Sequence, residues 1–173
     1  MTEKQKNILE AALKLFAVDG YNATSTSKVA KAAGVSEGLI FRHFKNKEGL
    51  LNAILEEAHQ YAKLAYADII LTEAPRELIM KALSLPFTYG KEHYEHWRLV
   101  YALKWQTNRY DETPYAPIKK ALTAAFSELG YADPVAEAEL IFILMDGAAT
   151  AMLLHEPKNK MEILAALQKK YEP

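Results

Sequence analysis

The chain has 173 residues, half of which are apolar, so it is long enough to bury a substantial core. It contains no cysteine, which excludes disulfide bonds and thiolate metal sites. The formal net charge of −1 argues against binding nucleic acid over the whole surface. Residues 1–50, however, carry a net +3 and the remainder −4, so the distribution favours contact with an anionic partner at the N-terminal end only.

Two stretches are candidates for a targeting or membrane segment, and neither has the required pattern. The first 16 residues are amphipathic and include acids, unlike the basic-then-apolar layout of a secretion signal. The most apolar run, residues 140–154, has 15 residues and is interrupted by Asp146 and Gly147. Because a membrane span needs about 20 apolar residues, we expect a soluble, cytoplasmic protein that does not contact a membrane.

Apolar residues recur at helical spacing along nearly the whole chain, and no segment alternates with period two. A first helix ends at Gly20, and its apolar face consists of Ile8, Leu9, Ala12, Leu13 and Phe16. Ser25 or Thr26 caps a second, short helix, and Gly34 supplies a turn after it. Ser36 is expected to cap a third helix that runs through residue 44.

Asn46 is expected to cap a long fourth helix that reaches about residue 71. Pro75 opens a fifth, which is disturbed near Pro86 and Gly90. Four more are expected at about 92–109, 114–130, 133–155 and 158–171. The sequence therefore predicts an all-α fold of about nine helices. A three-helix helix-turn-helix domain covers residues 1–46, and a helical bundle covers 47–173.

The segment from residue 25 to residue 51 carries the functional signal. Two short helices joined by a tight turn form a helix-turn-helix, whose second helix can enter the DNA major groove. Gly34 suits the turn because it adopts a left-handed conformation at little cost. Ala30 and Ala33 are small enough to let the helices cross closely, and Ile40 and Phe44 are expected to anchor the second one.

A rotation of 100° per residue then turns Gly38 and Arg42 outward, with Leu39 and Phe41 beside them. Arg42 can bind a guanine edge or a phosphate, Phe41 can pack on a thymine methyl, and Glu37 can accept from cytosine. Hydroxyl, imidazole and ammonium groups at the helix ends suit phosphates. The predicted DNA-contacting residues are Ser25, Thr26, Ser27, Lys28, Ser36, Glu37, Gly38, Leu39, Phe41, Arg42, His43 and Lys47.

From about Ile8 to Leu51 the chain resembles the DNA-binding domain of the tetracycline-repressor (TetR) family. The matching residues are Leu15-Phe16, Gly20-Tyr21, Val29-Ala30, Ala33-Gly34-Val35-Ser36, His43-Phe44, Lys47-Glu48 and Leu50-Leu51. The rest of the chain resembles the family only in helix count, length and layout. The resemblance implies a homodimer that binds a palindromic operator, usually represses, and is released by a small effector.

Two positions depart from the family pattern. Phe41 stands where the family most often has tyrosine, and Glu37 replaces a common lysine. Each change removes a phosphate contact, so the operator sequence stays open. Three alternatives stay open. The three helices can be packed for structural reasons alone, the chain can be a helical interaction module that no longer binds DNA, or it can be an enzyme with an all-helical core.

Aromatic residues crowd the segment 87–110, and three of them recur at steps of four. They either fill the core or line a pocket for an apolar or aromatic effector. Asp146, inside the most apolar run, is expected to be buried and therefore paired, as a structural or interface acid or as an effector anchor. The effector-pocket candidates are Tyr61, Phe87, Tyr94, Trp97, Tyr101, Trp105 and Asp146.

Small and apolar residues of the last two helices suit a four-helix contact between two copies, as the resemblance implies, although they can equally be core. These candidates are Gly147, Ala151, Leu154, Ile163 and Leu167. His93 and His96, three residues apart, are a weak metal pair that we interpret as surface residues. Since no catalytic motif is present, we expect no enzyme activity, no metal and no cofactor.

Overall fold

The computed structural model describes residues 1–88, 90, 94–107 and 113–172, without the side chains of Glu95, Lys104, Trp105 and Pro114. Two sequence predictions therefore lie outside the described residues, namely those for His93 and for the side chain of Trp105. Within these ranges the chain is helical and contains no strand.

Nine α-helices are present in the described ranges, and the predicted all-α fold is confirmed. They are α1 (Glu3–Asp19), α2 (Thr26–Ala32), α3 (Glu37–Phe44), α4 (Lys47–Ile70), α5 (Pro75–Ser84), α6 (Tyr94–Thr107), α7 (Ala116–Glu128), α8 (Pro134–His155) and α9 (Lys160–Lys169). A short 3₁₀ turn at Leu85–Phe87 contains Pro86, near which the fifth helix was expected to be disturbed. A second 3₁₀ turn, at Thr113–Tyr115, directly precedes α7.

The helix ends are set by local hydrogen bonds. Thr2 and Gln5 form a capping box at the start of α1. The Ser25 hydroxyl accepts from the Lys28 amide at 3.1 Å, which makes Ser25 the cap of α2. The predicted cap of α4 is confirmed by a 2.8 Å bond from the Gly49 amide to the side chain of Asn46. Ser36 is the N-cap residue of α3 as predicted, but its side chain makes no capping hydrogen bond.

The chain divides into two compact units. The first contains Met1–Gln60 and Glu95–Tyr110, and the second contains Tyr61–Tyr94 and Asp111–Pro173. The first part of α4 and nearly all of α6 thus belong with the N-terminal helices. The predicted functional boundary at residue 46 stays a prediction.

The first unit is organised around one apolar core. Its buried residues are Ile8, Leu9, Ala12, Leu13, Phe16, Val29, Ala30, Ile40, Leu50, Leu51, Ile54, Ala58, Val100 and Leu103. The predicted apolar face of α1 is therefore buried as expected. Ile40 is the one fully buried residue of α3, and burying such a side chain contributes about 1.5–3 kcal/mol. Val100 and Leu103 bring α6 into the same core.

The second unit contains two neighbouring apolar clusters. The larger lies among α5, α7 and α8 and includes Phe126, whose ring packs edge-on against Tyr131 at 4.9 Å between centroids. The smaller joins Phe87 and Met152 to Leu164 of α9, with Ile163 and Leu167 partly buried against it. Two of the predicted dimer-contact residues of α9 thus already pack partly against their own chain.

The helix α8 is longer than the apolar run that the sequence suggested. Its 22 residues are long and apolar enough to cross a membrane by length and composition, so the expectation that no segment qualifies is wrong. One such helix among the described residues is weak evidence for a span, because core helices pass the same test. One face of α8 is indeed buried, at Ala138, Ile141, Met145, Ala149, Met152 and Leu153.

The junction between α3 and α4 leaves no room for a side chain at residue 49. A Cβ atom at Gly49 would overlap the backbone carbonyl oxygen of Phe44. We therefore expect Gly49→Ala to destabilise the protein by about 2 kcal/mol, since overpacking costs about 1–3 kcal/mol. The melting temperature should fall by roughly 4–8 °C in a thermal scan followed by circular dichroism.

Gly38→Ala is the matched control, because a Cβ atom at this helical glycine meets nothing within 4 Å. Alanine also favours the helix by up to about 1 kcal/mol, so this variant should melt at or slightly above the wild-type temperature. Equal melting temperatures for Gly49→Ala and wild type would contradict the tight junction.

Candidate nucleic-acid interface

The outward side of α3 is exposed as the periodicity predicts. Gly38, Arg42 and His43 are exposed, and Phe41 keeps 48% of its surface accessible. Leu39 differs from the expectation, since it is half-buried and packs against the core of the first unit. The helix therefore presents a glycine, an arginine, an imidazole and an aromatic ring to solvent, and their contact with DNA stays a prediction.

Thr26 and Glu37 contact each other at the starts of α2 and α3. The Thr26 hydroxyl donates to the Glu37 carboxylate at 2.7 Å, and both side chains are half-buried. A hydroxyl has one proton to donate, so Thr26 in this arrangement does not donate to a phosphate. Both residues remain predicted DNA contacts, but no sequence pattern indicated that they bind each other.

Two predicted phosphate-binding lysines also have partners inside the protein. The ammonium of Lys28 lies 2.9 Å from the Asp19 carboxylate, in an exposed pair of the kind that contributes about 0–1 kcal/mol. Lys47 donates to the backbone carbonyls of Tyr21 at 3.0 Å and Asn22 at 3.3 Å, and lies 4.6 Å from the centre of the Tyr21 ring. These hydrogen bonds of Lys47 connect the start of α4 to the turn that follows α1.

His43 is positioned by a residue that the sequence reasoning missed. The side-chain amide nitrogen of Gln5 lies 3.3 Å from Nδ1 of His43. The same Gln5 accepts the Thr2 amide proton in the capping box at 2.8 Å. When the Gln5 amide donates, Nδ1 is the acceptor, and in that tautomer the ring proton is on Nε2.

Gln106 is a second residue that the sequence reasoning missed. Its side-chain nitrogen donates to the Ala17 carbonyl at 3.0 Å, and its side-chain oxygen accepts the Tyr21 amide proton at 3.2 Å. One amide at the end of α6 thereby satisfies two backbone groups at the end of α1. No local pattern marks such a contact, because the partners are 85 and 89 residues apart.

The effector-pocket candidates are divided between the two units. Trp97 and Tyr101 are half-buried in the first unit. Phe87 and Tyr94 are buried in the second, where Tyr61 is exposed on α4. The pocket itself stays a prediction.

Tyr94 has an unusual environment for a buried tyrosine. Only 7% of its surface is exposed, and its hydroxyl has no hydrogen-bond partner among the described residues. The Lys160 ammonium group donates to the Glu156 carboxylate at 2.9 Å, and this hydrogen bond is the main cause of a raised Lys160 pKa. Burial lowers the Lys160 pKa in part, and an electrostatic interaction with Tyr94 adds a smaller increase. A buried polar group without a partner is costly, so Tyr94 offers a position for a ligand atom.

The expectation that Asp146 is buried is wrong. The residue is exposed on α8, because a 22-residue helix with one face in the core leaves its opposite face outward. Gly147 is exposed with it, and a Cβ atom there would meet nothing within 4 Å. The same face carries the exposed apolar residues Leu140, Ile143 and Leu154. Of the other interface candidates, Ala151 is half-buried.

The histidine pair gains no support as a metal site. His93 lies outside the described residues, and His96 is half-buried with its ring 5.7 Å from that of Trp97. Among the described residues no group of three or more metal-binding side chains occurs.

Comparisons with known proteins agree with this geometry. The family model described as "Bacterial regulatory proteins, tetR family" matches residues 8–54. A curated relative, "Uncharacterized HTH-type transcriptional regulator YvkB" of Bacillus subtilis (strain 168), is 49% identical over 33% of this chain and 30% of its own length. The chain spans about a third of the length of the curated relatives it matches.

Solved structures share the fold over nearly the whole chain. AibR in complex with isovaleryl coenzyme A and operator DNA has a TM-score of 0.72 at 21% identity, covering 97% of both chains. The transcriptional regulator FadR from Bacillus subtilis in complex with stearoyl-CoA has a TM-score of 0.66 at 20% identity, covering 96% of this chain and 97% of that one. Residues 8–54 thus match the tetR family of bacterial regulatory proteins, and the chain as a whole shares its fold with these two solved structures.

Proposed function

We propose that this protein is a DNA-binding transcriptional regulator, acting as a repressor that a small effector releases from a palindromic operator. The observation that carries the proposal is the arrangement of α3. Ile40 fixes this helix to the core, while Gly38 and Arg42 face solvent within the segment that matches the family. A glycine on the outward face permits close approach to DNA, and arginine binds guanine edges or phosphates.

Binding a palindrome requires two copies of α3 about 34–36 Å apart, one turn of DNA. We infer a homodimer formed through the exposed face of α8, together with the exposed parts of α9. Leu140, Ile143 and Leu154 lie on this face, and Gly147 allows a partner helix to approach closely. Such a regulator acts where the chromosome is, so we place it in the cytoplasm.

For the effector we propose an apolar molecule with a polar head, and an acyl-CoA thioester as the first class to test. Two proteins of the same fold are recorded with isovaleryl coenzyme A and stearoyl-CoA. In the second unit the buried ring of Phe87 suits an apolar chain, and the buried Tyr94 hydroxyl suits a polar atom. A regulator releases its ligand unchanged, whereas the alternative of an enzyme with a helical core predicts turnover of the thioester.

Arg42→Ala tests the DNA-binding face. Each good arginine contact to a base contributes about 1–3 kcal/mol, so we expect the affinity of each half-site to fall roughly tenfold or more. The probe is a duplex selected by the wild-type protein from a random-sequence pool, and fluorescence anisotropy measures the dissociation constant. The selected sites should be palindromic.

Arg76→Ala is the control, since Arg76 is an exposed arginine of α5 in the second unit. It removes the same charge and should leave DNA affinity unchanged. If folded Arg42→Ala protein binds as tightly as wild type, this face does not contact DNA. If the wild-type protein selects no sequence even at low salt, the interaction-module alternative is favoured.

Ile143→Glu tests the dimer. Ile143 is 68% exposed on the apolar face of α8, and a carboxylate at a close contact between copies would be buried without a partner. Sedimentation equilibrium should show wild type at twice the chain mass of 19.5 kDa and the variant as a monomer. Val18→Glu, at a residue of α1 that is 70% exposed, should stay dimeric; a dimeric Ile143→Glu would exclude this face.

Tyr94→Phe tests the effector site and has two opposed expected effects. Removing a buried hydroxyl without a partner should stabilise the fold by about 1 kcal/mol. The same change should weaken binding of isovaleryl-CoA or stearoyl-CoA about tenfold, as measured by calorimetry with free coenzyme A as the reference. Tyr131→Phe, at a half-buried tyrosine outside the candidate set, should leave this binding unchanged. Unaltered acyl-CoA affinity in Tyr94→Phe would remove Tyr94 from the site.

A further inference from the structure

The joint between α3 and α4 consists of two residues, Lys45 and Asn46. The backbone of Lys45 has φ 68° and ψ −48°, and the Asn46 amide donates to the Phe44 carbonyl at 2.8 Å. These two facts define a γ-turn of the positive-φ form, which is rare and strained. Glycine adopts such a conformation at little steric cost, yet the residue here is lysine.

The neighbours of Lys45 hold this turn without help from its side chain. The Phe44 carbonyl oxygen is bonded to the Asn46 amide and lies directly against Gly49. The Asn46 side chain in turn caps α4 through the Gly49 amide. The Lys45 side chain is exposed, and no ion pair involves it among the described residues. The fold therefore needs the turn but not the lysine.

Lys45 lies directly after the C-terminal end of α3, one helical turn beyond Phe41 on the outward face of that helix. Its amide donates to the Phe41 carbonyl at 3.0 Å, so its backbone follows Phe41 by one helical turn. Phe41 is an exposed aromatic of that face, and exposed His43 is two residues away. An ammonium group on a long flexible side chain just beyond the end of a recognition helix is well placed to reach a DNA phosphate.

We propose that Lys45 binds a DNA phosphate, and that its strained backbone is retained because a cation is needed at this point. The inference rests on the proposed function of α3. Strained residues that neighbouring structure holds in place are concentrated at functional sites. A purely structural explanation also exists, in which the lysine charge stabilises the carboxyl end of α3. The two explanations predict different effects when the lysine charge is removed: the first predicts a loss of DNA affinity, and the second predicts a loss of stability.

Lys45→Gly is the decisive variant. Relief of the strained φ should raise the melting temperature by a few degrees, while DNA affinity falls about threefold to tenfold per copy. The loss should be similar for selected and random duplexes, because a phosphate contact carries no sequence information. In a plot of the logarithm of the DNA association constant against the logarithm of the salt concentration, the slope should become shallower by about 0.9 per copy.

Lys45→Gln and Lys45→Arg separate charge from strain, because both keep a non-glycine residue in the turn. The glutamine variant should melt near the wild-type temperature. Its DNA affinity and its salt dependence should fall as much as those of Lys45→Gly. The arginine variant should bind as wild type does. A Lys45→Gly protein that melts earlier, or that binds both duplexes with wild-type affinity and salt slope, overturns the proposal.

Arg42→Ala in the same assay shows whether a negative result rules out only the phosphate contact of Lys45 or the whole DNA-binding face of α3. If Arg42→Ala weakens binding and Lys45→Gly does not, α3 contacts DNA and only the assignment of Lys45 is wrong. If neither variant changes binding, the DNA-binding face of the proposed function is wrong as well, and the assignment of Lys45 falls with it.

Discussion

The structure of the first unit depends on burying one side of a helix that is too short to be stable alone. The helix α3 has eight residues, and isolated helices shorter than about 12–15 residues are marginal in water. Its helical state therefore comes from packing, with Ile40 fully enclosed and Leu39 and Phe44 partly so. These side chains belong to the same apolar cluster as buried residues of α1, α2 and α4. Because the apolar anchoring of α3 is confined to its inward side, Gly38 and Arg42 on the outward side remain exposed.

Local sequence signals predicted the elements well because helix starts and stops are local events. Apolar spacing and caps such as Ser25 and Asn46 act within three or four residues, and they located nearly every helix. Side-chain partners in the site were not predictable in this way. Thr26 and Glu37 lie 11 positions apart, and Lys47 reaches back to Tyr21 across 26, so only the folded chain shows which polar groups bind each other.

The errors in the second part of the chain have a related cause. Asp146 was expected to be buried because its neighbours in sequence are apolar, but exposure depends on which face of α8 meets the core. A helix that is apolar on all sides gives no periodic signal to identify that face. Composition locates such a helix, whereas tertiary packing decides what each side of it touches.

The double hydrogen bond of Gln106 has a thermodynamic consequence. It ties the end of α1 to α6, the helix that also carries Trp97 and Tyr101 in the same compact unit. A displacement of α6 must break both bonds or move the end of α1 with it. Linkage makes such coupling reciprocal. If ligand binding displaces α6 and weakens the hold on DNA, then DNA weakens the hold on ligand by the same factor, and the protein on its operator senses only higher effector concentrations than the free protein does.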